Sequence, residues 1–394
     1  MTTARLPAAT KLGLLGALYF SQGLPFGFFT QGLPVLLRQR GYTLAEIGLS
    51  SLLAAPWALK WLWAPLVDRW FSPRLGRRKS WIVPLQLCTV LVLFALALVG
   101  GFASLELLMS AVLLLNLLAA TQDIATDGLA VELLATGERG LGNGLQVAGY
   151  RLGMIIGGGA LLILYERLGS FGTFLAMALL TALATLPVLA VREPSKVPEA
   201  RAPAELVHWL RRPGALGILT LLVVYKAGDA FATSMLRPFL ADSGLTLTDI
   251  GWLLGTVGFV AGLCGALAGG ALVNRVGRKR ALLGFGFLQA ATVGGYAYLA
   301  FAKLSGLALY ALCGAEHFAG GMATAALFTC MMDWSSELTS GSDYTVQASA
   351  VVIATGAAGA VAGFSAQALG YVSHFALATL LALGALLVAH RCFP

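Results

Sequence analysis

Gly41-Tyr42-Thr43-Leu44-Ala45-Glu46-Ile47-Gly48 returns 203 residues later as Gly244-Leu245-Thr246-Leu247-Thr248-Asp249-Ile250-Gly251. An apolar run follows each copy and ends on a second shared block. The first is Asp68-Arg69 with Gly76-Arg77-Arg78-Lys79, and the second is Asn274-Arg275 with Gly277-Arg278-Lys279-Arg280. Six residues separate the parts of the first block, and one residue those of the second. Two matching blocks at nearly one offset mark a duplicated unit rather than chance. Reading outward, apolar runs fall at about 12–37, 45–67, 81–101, 105–131, 141–164 and 171–191. Six more follow at about 214–240, 248–273, 281–302, 304–332, 344–368 and 371–389. Runs of this length cross the ~30 Å hydrocarbon core of a bilayer as helices. The sequence predicts an all-α polytopic membrane protein of twelve transmembrane helices in two six-helix pseudo-symmetric bundles. They occupy residues 1–191 and 214–394 and are joined by a linker over 192–213.

Composition agrees. Of 394 residues, 58% are hydrophobic and 11% charged, with a mean hydropathy of +0.82. A soluble chain carries about 25% charged residues, which excludes an ordinary cytosolic enzyme, a nucleic-acid-binding protein and a disordered chain. The net charge of +8 reads instead as the excess of Lys and Arg on cytoplasmic loops. With the N-terminus inside, inner segments hold 18 of the 26 basic residues and outer segments five, namely Arg38, Arg40, Arg167, Arg237 and Lys303. Lys60, Arg151 and Lys226 fall within spans. Both termini and the linker, with Pro194, Pro198, Pro203 and Pro213 among mixed charges, are expected in the cytoplasm. The acidic turn from Asp333 to Asp343 breaks this inner-side trend. Cys88, Cys264, Cys313, Cys330 and Cys392 are scattered and form no CxxC pair, so they read as small buried hydrophobes rather than a metal site. The first run lacks a small-residue cleavage site and is expected to remain as a span.

Ionisable residues deep in spans are costly unless paired or hydrated, and so mark function. They are Lys60, Asp123, Asp127, Arg151, Lys226, Asp229 and Glu316, with His317 beside the last. Asp123 and Asp127 are four apart and share a helix face; Arg151, in the next span, is their natural partner. Lys226 and Asp229 are three apart and can pair along one helix. Lys60 either belongs to this set or snorkels toward the inner face. Three cations face four carboxylates, leaving one carboxylate over. In apolar surroundings such a group holds a proton more readily than in water. Glu316 is the first candidate proton carrier, with His317 as relay, and Asp127 the second. Pro25, Pro34, Pro56, Pro65 and Pro238 and the Gly-rich faces at 153–159 and 262–270 suit kinked, closely packed helices. Trp57, Trp61 and Trp63 serve equally as interfacial anchors or ligand stackers.

Parallel repeats about a membrane-normal axis are the layout of major facilitator transporters. The Asp68, Arg69, Gly76, Arg77, Arg78, Lys79 block resembles that superfamily's signature loop between spans two and three. Glycine permits the tight turn, and an aspartate at a helix end can pair with arginine to latch one conformation. The second copy, Asn274, Arg275, Gly277 and Arg278, has a neutral residue in place of Asp68 and is expected to latch more weakly.

Further pieces narrow the likeness: Gln22-Gly23-Leu24-Pro25, Leu59-Lys60-Trp61-Leu62-Trp63-Ala64-Pro65, Thr121-Gln122-Asp123-Ile124-Ala125-Thr126-Asp127, Glu138-Arg139-Gly140, Gly149-Tyr150-Arg151-Leu152-Gly153-Met154 and Tyr225-Lys226-Ala227-Gly228-Asp229. They resemble the peptide and acetyl-coenzyme A transporter family, which holds AmpG-type muropeptide permeases and RhtX/FptX-type siderophore permeases. The resemblance implies proton-driven uptake by alternating access across a bacterial inner membrane. It implies functional positions at Asp123, Asp127, Arg151, Lys226 and Asp229, with Gln122 and Tyr150 in the same motifs. The segment Gly341-Ser342-Asp343-Tyr344-Thr345-Val346-Gln347 looks more like the short siderophore members, so a siderophore is favoured over a muropeptide. A drug exporter of the same fold is the next alternative. A membrane enzyme or sensor is disfavoured, since four dispersed histidines form no catalytic cluster and a 22-residue linker holds no soluble domain. The expected partners are the bilayer, a small organic solute and protons. No metal, nucleic acid or cofactor is expected beyond the proton gradient, and the chain is expected to act as a monomer.

Overall fold

A computed structural model describes residues 6–41, 51–100, 104–191, 193, 209–302 and 306–394. Most of the first copy of the repeated motif (42–50), most of the linker (192 and 194–208), Arg5 and Lys303 lie outside the described residues. Among the described residues every regular element is helical. Nine helices there are long and apolar enough to cross a membrane; one, 56 residues from Glu337 to Cys392, is two helices merged across a kink at Gly370. Helix faces are reversed relative to a water-soluble protein. On Lys79–Val99, Gln86 is fully buried while Leu87, Leu91 and Leu98 are 52–65% exposed, as expected where lipid rather than water meets the outer face. Cys88 and Cys264 are also exposed, which corrects the expectation that the cysteines are buried; Cys313 and Cys330 are buried.

The chain divides into two units. Unit 1 comprises residues 1–135, 148–206 and 335–346; unit 2 comprises 136–147, 207–334 and 347–394. In unit 1 one apolar core gathers Leu24, Phe28, Leu93, Leu115, Phe174 and Met177, and a second gathers Leu14, Leu18, Val67, Ile82, Ile124 and Leu129. Unit 2 is centred on Phe231, Phe239, Leu253, Tyr296, Leu309 and Phe375.

Helix breaks set where the polar side chains fall. The second apolar run is not one helix. It runs as a 3-10 turn Ser51–Ala54, a helix Ala55–Leu59, a 3-10 turn Lys60–Leu62 and a helix Ala64–Arg69. Pro56 and Pro65 each stand in the first turn of a short helix. Proline cannot donate to the carbonyl four residues back and its ring crowds that carbonyl, so the turn before Pro65 tightens at Lys60. Likewise the helix Ala215–Thr233 stops short of Pro238 and restarts at Leu236–Asp242. Where helices touch, glycine removes the side chain. A β-carbon on Gly157 would stand 1.9 Å from the Leu24 carbonyl oxygen, and one on Gly265 2.0 Å from that of Phe318.

Candidate transport site

In unit 1 the 3-10 turn carries Lys60 inward against the helix Leu105–Leu133. Its ammonium contacts the Asp123 carboxylate and stands 4.0 Å from Asp127 Oδ2. Tyr19 donates its hydroxyl to Asp127 Oδ1 at 2.8 Å. Lys60, Asp123 and Asp127 are all under 9% exposed. Of the two readings of Lys60, the buried one holds: it joins the intramembrane charges rather than snorkelling, and its ammonium contacts Asp123. Arg151, expected as a partner of Asp123 and Asp127, stands half-buried on the helix Arg139–Ile155. Gln22 Nε2 donates to Thr126 at 3.3 Å, while Gln22 Oε1 and Gln122 Nε2 are buried without a hydrogen-bond partner.

Three half-buried rings adjoin this group. Phe26 lies 5.6 Å from Trp57 and 5.7 Å from Tyr150, and Trp57 lies 6.4 Å from Tyr150. The Lys60 ammonium is 5.6 Å from the Trp57 ring centre, within cation–π reach. Trp57 Nε1 donates to Asn116 at 2.9 Å, which fixes the indole plane. Partly exposed ring faces beside buried amides and a buried ion pair are the lining expected of a site for an organic solute. Sequence reasoning missed Tyr19 and Phe26, whose spans show no charge to flag them.

Unit 2 holds the other intramembrane charges. Lys226 Nζ lies 2.6 Å from Asp229 Oδ2 and donates to Thr324 at 3.3 Å. Glu316, 3% exposed, sits near the middle of the helix Leu307–Asp333. His317 Nδ1 is 2.9 Å from Glu316 Oε2 and 3.0 Å from the Cys313 carbonyl oxygen. Successive helical residues seldom meet, so the sequence leaves Glu316 without a partner where the structure supplies a titratable one. Gly258 makes the room, since a β-carbon there would stand 2.8 Å from His317 Nε2.

At the loop end of unit 1 the shared block forms a buried ion cluster. Asp68 Oδ1 meets Arg78 at 2.7 Å and Arg77 at 3.3 Å. Asp68 Oδ2 accepts the Ser342 N–H at 2.7 Å and its hydroxyl at 2.5 Å. Glu132 Oε1 accepts from Arg78 at 2.6 Å, Arg77 at 3.2 Å and the Ser340 hydroxyl at 2.6 Å. Arg77 also donates to the Glu337 and Leu338 carbonyls. Glu193 accepts the backbone N–H groups of Arg78 and Lys79, each at 2.9 Å, and so caps the start of the helix Lys79–Val99. Burial raises the Glu193 carboxyl despite those donors. For Asp68, burial acts in the same direction, yet Arg78, Arg77 and Ser342 together hold it below its ordinary 3.8. The stabilisation that charge contributes is fully present above 3.8 and is lost only as pH falls through the lower folded-state value. Asp68 therefore keeps its charge near neutral pH. Arg69 lies exposed beside it.

Unit 2 carries the counterpart. Gly76 and Gly277 both turn at positive φ, 99° and 90°, where glycine alone is unstrained. Arg278 pairs with Asp333 at 2.6 Å, contacts Asn274 Oδ1 and donates to the Thr136 carbonyl at 2.8 Å. Arg139 reaches the other Asp333 oxygen at 2.8 Å, and Asn274 donates to the Gly137 carbonyl at 2.6 Å. Arg275 is exposed. Asp333 meets both guanidiniums here, where Asp68 and Glu132 share them in unit 1; it is 20% exposed, against 2% for Asp68 and 23% for Glu132. The acidic turn thus has an account: Asp333 neutralises Arg139 and Arg278, and Asp343 accepts from Ser336 and Thr339 at 2.9 Å each.

Comparison with known proteins adds the lineage. The Major Facilitator Superfamily model matches residues 15–363. The anhydromuropeptide permease of Escherichia coli strain K12 is 31% identical over 394 residues, covering 98% of this chain and 80% of that one. A Rickettsia felis transporter named AmpG 4 is 28% identical over 382 residues, covering 93% and 92%. Two solved structures share the fold. The human organic anion transporter MFSD10 has a TM-score of 0.77 at 15% identity, covering 98% of this chain and all of that one. FucP of E. coli in the outward conformation has a TM-score of 0.73 at 16% identity, covering 97% and 98%. The chain belongs to the Major Facilitator Superfamily and, within it, to the family of the AmpG-type permeases, as a multi-pass inner-membrane transporter and not an enzyme.

Proposed function

We propose that this transporter imports anhydromuropeptides by alternating access, coupled to protons, through twelve spans with both termini in the cytoplasm. The observation that carries the substrate is the 31% identity with the E. coli anhydromuropeptide permease along 98% of this chain. It favours a muropeptide over the siderophore preferred from sequence. The unit 1 site suits the chemistry. A muropeptide joins amino sugars to a short acidic peptide; sugar C–H faces lie on aromatic rings such as Phe26, Trp57 and Tyr150, and carboxylates meet a cation such as Lys60. The 18-to-5 distribution of basic residues supports the orientation. Glu316 with His317 is the proton site, and Lys226–Asp229 is a substrate-side ion pair.

The test is uptake of radiolabelled anhydromuropeptide into vesicles holding the protein. Accumulation is expected when the outside is acid, and an uncoupler should collapse it. Accumulation that ignores the uncoupler overturns proton coupling. Uptake of a ferric siderophore without uptake of the muropeptide overturns the substrate.

The Asp68 cluster acts as a latch that ties the 335–346 segment to the Gly76 turn and must open in each cycle. Asp68→Asn removes a charge between two guanidiniums, where a hydrogen bond to a charged group contributes roughly 1.5–3 kcal/mol. The maximum rate is expected to change about tenfold at unchanged KM, read by initial-rate uptake. A change in KM alone would contradict the latch.

A further inference from the structure

We propose that Gln289 is a hydrogen-bond switch joining the two acidic groups of unit 2, so that proton uptake by Glu316 loosens the Lys226–Asp229 pair. Gln289 lies on the helix Arg278–Ala302 and is 4% exposed, and its Nε2 is buried with no hydrogen-bond partner. A buried amide N–H without an acceptor is costly, and two acceptors lie near it. A β-carbon on Gly320 would stand 3.0 Å from Gln289 Nε2 and 3.5 Å from Glu316 Oε1, so both side chains converge over that glycine. In the other direction, Gln289 and Asp229 line one small cavity with Tyr225 and Gly286, of about 10 Å³, room for roughly one water.

The path closes through a stripe on the helix Leu307–Asp333. Glu316, Gly320 and Thr324 follow at four-residue spacing on one face. The Thr324 hydroxyl donates to the Gly320 carbonyl at 2.7 Å and accepts from Lys226, which holds Asp229. Among the described residues, the titratable groups facing Glu316 are His317 and Cys313 of its own helix and Tyr296 of the helix that carries Gln289.

When Glu316 is ionised, the Gln289 amide turns to it and donates. When Glu316 takes a proton from outside, it needs no second donor, and the amide turns to the cavity and Asp229. Asp229 then has a donor other than Lys226, and the ammonium is released toward an anionic solute. Gln289 passes no proton itself; the proton rides on Glu316 and leaves from it to the inner side. The switch rests on Glu316 being the proton site.

Infrared titration of the full chain in lipid, with no solute present, tests it. The Glu316 acid band is assigned by its loss in Glu316→Gln, and the Asp229 carboxylate band by its loss in Asp229→Asn. The Asp229 band is expected to shift as the Glu316 band grows, and this shift is expected to vanish in Gln289→Leu. If the shift is absent in the wild type, or persists in Gln289→Leu, the switch is overturned while Glu316 stands as the proton site. If no Glu316 band titrates at all, the proton-site reading fails, and the switch with it. Should Gln289→Leu not fold, Gly320→Ala sets a methyl between the two side chains. A shift unchanged there also overturns the proposal.

Discussion

Lys60→Met is expected to leave little folded protein in the membrane, and adding Asp123→Asn is expected to restore most of it. Methionine matches the lysine stem in length but leaves Asp123 charged, under 9% exposed and four residues from Asp127. Removing one partner of a buried pair costs about 3–5 kcal/mol, because the remaining charge stays desolvated. Native proteins hold only about 5–15 kcal/mol in reserve. In the double variant the charge of Asp123 is gone as well, Asp127 keeps the Tyr19 hydroxyl at 2.8 Å, and an amide beside a thioether is far cheaper to bury than a charge beside one. The measurement is the yield of monodisperse detergent-extracted protein and its melting temperature for both single variants and the double. Losses that simply add would show that the two side chains do not act as a pair. Recovered folding without recovered transport would further separate the stability role of Lys60 from its role toward solute.

Lys60 shows where one-dimensional reading stops. Charges inside apolar runs are legible because each is exceptional in that setting, and so the set from Lys60 to Glu316 stands out in the residue order alone. Partnership is not legible. Asp123 is 63 residues from Lys60 and 28 from Arg151, and proximity in sequence points to Arg151 alone, where Lys60 is also in contact. Pro65 is the signal that could have added Lys60, since a proline there breaks the span and re-aims the turn at Lys60. The latch divides in the same way. Its glycine and arginines stand in a repeated block, whereas Glu132, Ser340 and Ser342 belong to no motif and are joined to it only by packing. Asp333 was recoverable from the duplication, because it lies 201 residues after Glu132, close to the offset of the repeat. The duplication also exposes the asymmetry between the two clusters, where Asn274 replaces an acid and Asp333 meets both Arg139 and Arg278.

Glu316→Gln is expected to abolish uphill accumulation while leaving exchange of labelled for unlabelled solute across the same membrane. The amide keeps the size and most hydrogen bonds of the acid but cannot exchange a proton. One elementary charge moved through 100 mV is worth roughly 2.3 kcal/mol, equal to about a fifty-fold concentration ratio. The inside-to-outside ratio should therefore fall from that scale to unity, and uncoupler should no longer affect it. Exchange needs only the loaded carrier to reorient, so its rate should stay within about threefold, a change of ~0.7 kcal/mol. The competing site is Asp127, and its surroundings differ in kind. Asp127 has the Tyr19 hydroxyl at 2.8 Å and the ammonium of Lys60 at 4.0 Å. Beside Glu316 stands the His317 imidazole, its Nδ1 2.9 Å from Glu316 Oε2, a side chain of the type that relays protons. If Glu316→Gln still accumulates solute and Asp127→Asn does not, the proton rides in unit 1, and the polar groups of unit 2 are left with substrate binding alone.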